Sequence, residues 1–141
     1  MQPRRGFTLF EVTITLCILS VLSAIAMPSA RALIDRIHVH GAVMEIESLF
    51  SSARHIAIAR SAQVTVEIDP FARAIYVIVG ADTVRKGEVG AVHGVSLSAS
   101  RVRMSYSATG MGYGAANLSV FVQRSSSADT VFVSRLGRLR H

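Results

Sequence analysis

The spacing of apolar positions changes twice along this chain, and each change marks a new element. From Phe7 to Met27 the apolar run is continuous, twenty-one residues with one charged side chain, Glu11, closed by Pro28. At 1.5 Å per residue a helix of that length covers about 31 Å, enough to cross the hydrocarbon core of a bilayer. Beyond Pro28 the pattern becomes amphipathic. Val39, Val43, Ile46, Phe50, Ala53 and Ala57 recur at alternating steps of four and three, while Arg36, Glu45, Glu47 and Arg54 lie mostly off that stripe. This predicts a helix with one packed face, reaching about Arg60, kinked at Pro28 and loosened at Gly41.

From Ser61 the period becomes two. Val64, Val66 and Ile68 alternate with Thr65 and Glu67 before the turn signal Asp69-Pro70, and Ala74 to Val79 reads as the return strand. Ala81 to Gly94 is expected to be a polar, glycine-bearing loop. Val95 to Leu97 and Val102 to Tyr106 are expected to be short strands, and Gly110 to Gly114 (GMGYG) a loop. Leu118 to Gln123 and Thr130 to Arg135 should form a second hairpin across Arg124 to Asp129. The fold class that follows is α+β, a long N-terminal helix packed on a small C-terminal antiparallel β domain laid out as one sheet. The β region has about eighty residues and little core of its own, so docking on the helix stripe is needed for it to fold.

The chain has 141 residues and a formal charge of +6, and it stays basic without Arg4 and Arg5. Fourteen of its fifteen Lys and Arg residues are arginine, the better fork for phosphate. Its one cysteine, Cys17, lies mid-span, so no intrachain disulfide can form. Arg4 and Arg5 precede the span and the larger part follows it. The positive-inside bias therefore places the N-terminus in the cytoplasm and the C-terminal domain outside the inner membrane, in a periplasm.

Glu11 is the unusual feature of the span, because a carboxylate there costs about 2.5–3.5 kcal/mol and needs a partner. Cleavage between Gly6 and Phe7 would free an α-amino group about one helical turn from Glu11, or facing the Glu11 of a neighbouring copy. The run RRGFTLFE, followed by about sixteen apolar residues and Pro28, resembles the class III leader of type IV prepilins and type II secretion pseudopilins. The resemblance implies cutting after Gly6 by a prepilin peptidase, methylation of the new N-terminal Phe7, and use of Glu11 as the assembly charge that sets subunit register. Two other readings stand beside it: a secretory signal peptide, since Ala24-Ile25-Ala26 offers an A-x-A site, and a plain single-span anchor. Neither explains the placement of glycine, phenylalanine and glutamate. Major pilins often close a C-terminal loop with a cysteine pair, and its absence here points toward a minor pilin or pseudopilin.

Motifs for chemistry are sparse. GMGYG lacks the following helix and the lysine of a phosphate cradle. His38 and His40, two apart on a helix, point about 200° from each other and cannot share a metal. His55 and His93 have no Cys, Asp or Glu at metal-site spacing. With no G-x-S-x-G and no Cys-His pairing, the sequence predicts neither catalysis, nor a cofactor, nor a metal site.

The tail VFVSRLGRLRH (Val131 to His141) carries Arg135, Arg138 and Arg140 around Gly137, and Arg124 opens the preceding loop. In an extended segment Arg138 and Arg140 project to one side, where they could grip successive phosphates. The tail resembles the end of the H-type minor pseudopilin and FimT-like minor pilin (GspH/FimT-like) family, whose DNA-binding members use such G-R-x-R arginines. Three readings remain open for these residues: a solvated strand edge, contact with double-stranded DNA, and protein contact within a filament.

The expected organisation is a leader over 1–6, a membrane and filament-core helix over 7–27, its amphipathic continuation over 28–60, and a periplasmic β-rich domain over 61–141. The resemblance implies a single-pass inner-membrane protein assembled with other pilins or pseudopilins, serving protein secretion in a pseudopilus. The alternative is a DNA-binding minor pilin of natural transformation.

Overall fold

The computed structural model describes residues 6–113 and 117–141. Arg4 and Arg5 of the expected leader and Gly114 of the expected glycine-rich loop lie outside the described residues. The chain divides into two compact units, Met1–Ile34 and Asp35–His141.

In the first unit, the start of helix α1 (Leu9–Arg60) is exposed at every residue from Leu9 to Arg31. By length and composition the helix is apolar enough to cross a membrane. Among the described residues, nothing in the unit covers this apolar surface.

The second unit begins inside α1 and is built on its stripe. All six expected stripe residues are buried, joined by Ala42 and Leu49, which widen the face to the breadth a globular core requires. The helix is continuous through Gly41 rather than loosened there. A Cβ at Gly41 would lie 3.0 Å from the His93 ring, so glycine serves close packing.

Two antiparallel sheets share this core, where one was expected. The first has the order β3-β2-β1-β5-β6, from β1 (Val64–Asp69), β2 (Ala74–Val79), β3 (Asp82–Gly87), β5 (Arg103–Tyr106) and β6 (Gly112–Tyr113). The second has the order β4-β7-β8-β9, from β4 (Ser96–Ala99), β7 (Leu118–Arg124), β8 (Ser127–Val133) and β9 (Leu139–Arg140). Val64, Val66 and Tyr106 of the first sheet and Val120, Val122 and Val131 of the second are fully buried in one cluster with Ile46 and Phe50 of α1. Burial pushes the Tyr106 phenol up to about 12, against a smaller opposing pull from the Arg54 charge.

Ala81–Gly94 is not a loop. It forms β3, an edge strand exposed on both faces except near Val84 and Gly87, and the short helix α2 (Val89–His93). Hydrogen bonding to β2 rather than alternation of side chains defines β3. Gly90 N–H of α2 donates to Arg73 O at 2.8 Å, and a Cβ there would come 2.2 Å from Arg73 Cβ. The turn joining β7 and β8 is Ser125-Ser126 alone, with Ser125 at φ 51°, so β8 begins three residues earlier than expected. Gly112 and Tyr113 of the glycine-rich stretch pair with β5 instead of lying in a loop.

Candidate functional site: an N-terminal processing motif and a C-terminal arginine groove

The N-terminal motif is arranged around the first turn of α1. Gly6 and Phe7 precede the helix and are exposed. Thr8 is its N-cap: Thr8 O accepts from Val12 N–H, and Thr8 Oγ1 accepts from Glu11 N–H at 3.2 Å. Glu11 Oε2 in turn accepts from Thr8 N–H and from the Thr8 hydroxyl, both at 3.0 Å. This is a reciprocal capping box, which satisfies two donors that a helix start leaves unpaired. The Gly6–Phe7 peptide bond therefore lies in non-helical, accessible chain. Thr8 is a partner of Glu11 that the reading of Glu11 as a lone charge missed, although T-x-x-E ahead of an apolar run is a signature visible in sequence.

The C-terminal residues form the turn and the edge strand of the second sheet. After β8 the chain turns through Ser134–Arg138, closed by Gly137 N–H donating to Ser134 O and Ser134 N–H donating to Arg138 O, both at 2.9 Å. Gly137 sits at φ 72°, and a Cβ on it would lie 3.1 Å from Arg54 Cδ and 3.4 Å from Gly110 O. Glycine is required there by conformation and by space. The strand β9 then pairs Leu139 with Val133 and Arg140 with Phe132. His141 rests against α1, with Nδ1 3.1 Å from Glu47 Oε1 and its ring edge-on to His40.

Arg138 and Arg140 line one groove of about 450 Å³ with Phe132, Leu136, Leu118 and Ser119 among its walls. Arg135 is exposed but outside that lining; its backbone N–H donates to Asn117 Oδ1 at 3.1 Å and its carbonyl accepts from Gly112 N–H at 2.9 Å. No carboxylate lines the groove among the described residues.

Arg124 does not join this basic group. Its Nε donates to Asp35 Oδ1 at 2.8 Å, and its Nη1 donates to His93 O and Gly94 O. Both side chains of the ion pair are largely buried, 29% and 18% exposed. Beside it His93 Nε2 lies 2.9 Å from Glu45 Oε2. Asp35, Glu45, His93 and Arg124 thus form one polar lock joining α1, α2 and β7.

A profile of the prokaryotic N-terminal methylation motif matches residues 1–27. No curated protein matches the chain in sequence. Among solved structures the chain is similar to the type IV minor pilin FimU of Pseudomonas aeruginosa, with a TM-score of 0.64 at 14% identity, over 74% of this chain and 88% of that one. It is also similar to the minor pseudopilin EpsH of the Vibrio cholerae type 2 secretion system, with a TM-score of 0.59 at 12% identity, over 73% and 94%. At these identities the likeness is one of fold. The chain thus carries a prepilin-type N-terminal methylation motif on an α+β domain with the fold of minor pilins and minor pseudopilins.

Proposed function

We propose that this protein is a minor pilin or pseudopilin subunit of a type II secretion system or type IV pilus. In this reading a prepilin peptidase cuts between Gly6 and Phe7, and Phe7 is methylated. The 7–27 helix holds the protein in the inner membrane, with the C-terminal domain in the periplasm, and later packs with other pilins in the core of a short fibre. Glu11 sets register by meeting a freed α-amino group. The observation that carries this proposal is the methylation-motif match over residues 1–27, which takes in the exposed apolar start of α1, on a chain with a minor-pilin fold. The role is mechanical, and no enzyme activity is part of it.

Mass spectrometry of the full chain co-expressed with a prepilin peptidase tests the processing step. The expected product lacks residues 1–6 and carries one additional methyl group on Phe7. An intact Met1 would refute it.

A second reading, a DNA receptor of natural transformation, is favoured by one observation. Arg138 and Arg140 line a single groove with no carboxylate partner among the described residues, with Arg135 exposed nearby in sequence. Double-stranded DNA is the partner in this reading. A gel-shift titration of the full chain in detergent should show salt-sensitive binding that the Arg138→Ala, Arg140→Ala double variant abolishes. Absence of binding by the parent at low salt leaves the mechanical role alone.

A further inference from the structure

The groove is more than a pair of cations. On the solvent face of the second sheet, register places Ser119, Phe132 and Arg140 in one row across β7, β8 and β9, and Phe121 opposite Thr130 in the next. Cross-strand neighbours lie about 4.5–5.5 Å apart at Cβ and diagonal ones about 7–8 Å. Phe132 therefore stands beside Arg140 on one side and near Phe121 on the diagonal. Both rings are out of the core, Phe132 54% and Phe121 46% exposed. Leu136, 57% exposed, and Arg138 complete the wall.

Sheets normally direct polar side chains to solvent, and this one directs two phenylalanines there, Phe132 beside Arg140 and in one groove with Arg138. Arginines alone are enough to hold the phosphates of a duplex, whose bases are stacked inside and offer no free face. Exposed rings beside them add something only when a base is unstacked, because base–aromatic stacking and phosphate pairing then act on the same nucleotide. Charge complementarity requires an anionic occupant, and the apolar wall requires one that also carries flat or apolar surface.

We propose that this face binds single-stranded nucleic acid, with a base stacked on Phe132 and its flanking phosphates on Arg138 and Arg140. The proposal rests on the DNA-receptor reading and changes its ligand from duplex to single strand. Gly137 and β9 act as positioning elements, since they set both arginines beside the ring.

Fluorescence anisotropy of the full chain in detergent tests it, using a labelled single strand of roughly 12 nucleotides and the matching duplex. The single strand should bind more tightly. Phe132→Leu, which keeps an apolar side chain at an exposed site, should weaken single-strand binding about 5- to 100-fold while leaving duplex binding and the salt slope unchanged. Phe132→Tyr should restore affinity. Arg138→Ala with Arg140→Ala should lower the single-strand log–log salt slope by about 1.4, the value for two phosphates. Equal or tighter duplex binding, indifferent to Phe132→Leu, would overturn the single-strand proposal while the duplex-receptor reading stood. Binding of neither probe at low salt would overturn both and leave the face to a neighbouring protein subunit.

Discussion

Arg124→Ala separates architecture from recognition, because the same residue type at Arg138 and Arg140 is assigned the opposite role. The Arg124 guanidinium bonds Asp35 Oδ1 at 2.8 Å and two carbonyls of the α2 C-terminus, in a setting less than one-third exposed. Unit charges about 4 Å apart attract by about 4 kcal/mol at an effective dielectric near 20. Dehydration of both ions offsets part of that, which leaves about 1.5–3 kcal/mol for a charge-assisted bond. Truncation also strands the Asp35 carboxylate and frees the carbonyls of His93 and Gly94, so the expected loss is about 3 kcal/mol, a large share of a typical 5–15 kcal/mol. Pulse proteolysis of the full chain in detergent across a urea series measures it. In a double-mutant cycle with Asp35→Asn, the coupling should exceed about 1 kcal/mol, above that of exposed pairs. Nucleic-acid affinity of the folded variant should match the parent's. A loss below about 0.5 kcal/mol would show that the pair behaves as an ordinary surface contact and that the polar lock contributes nothing.

Three further outcomes are expected. Gly137→Val, at φ 72° and against Arg54, should destabilise the unit by about 1–3 kcal/mol and release the arginine turn, read as faster amide exchange from Ser134 to Arg140. Thr8→Ala should weaken the start of α1 by about 1 kcal/mol, seen as lost exchange protection at Glu11 and Val12 in micelles, with Thr8→Ser restoring it. Because burial raises Tyr106 from 10.0 to about 12, the native state retains a proton that the unfolded chain loses. Its contribution is complete below pH 10 and declines through pH 12 by roughly 3 kcal/mol, and Tyr106→Phe should flatten that alkaline limb of the urea midpoint.

What could be read from sequence followed local period. The stripe from Val39 to Ala57 was legible because a helix buries residues at steps its own geometry fixes, and the β1–β2 hairpin because alternation and Asp69-Pro70 are local signals. The edge strand β3 was not legible. Its sequence DTVRKG offers a single half-buried valine, and only pairing to β2 makes it a strand. Division into two sheets also escaped, since the hairpins look alike and their neighbours are chosen by long-range packing on α1. Within the C-terminal region, Arg138 and Arg140 could be grouped because one residue separates them. The structural role of Arg124 was not legible, because its partner, Asp35, is 89 positions away.

The contacts that pin His141 also bear on how the protein is handled. An epitope inserted beside His141 would disturb the imidazole that rests on Glu47 and beside His40, and would pull on the two-residue strand that shapes the arginine groove. The hairpin tip at Gly80-Ala81 is a better host for an epitope, being exposed, with open space around Gly80.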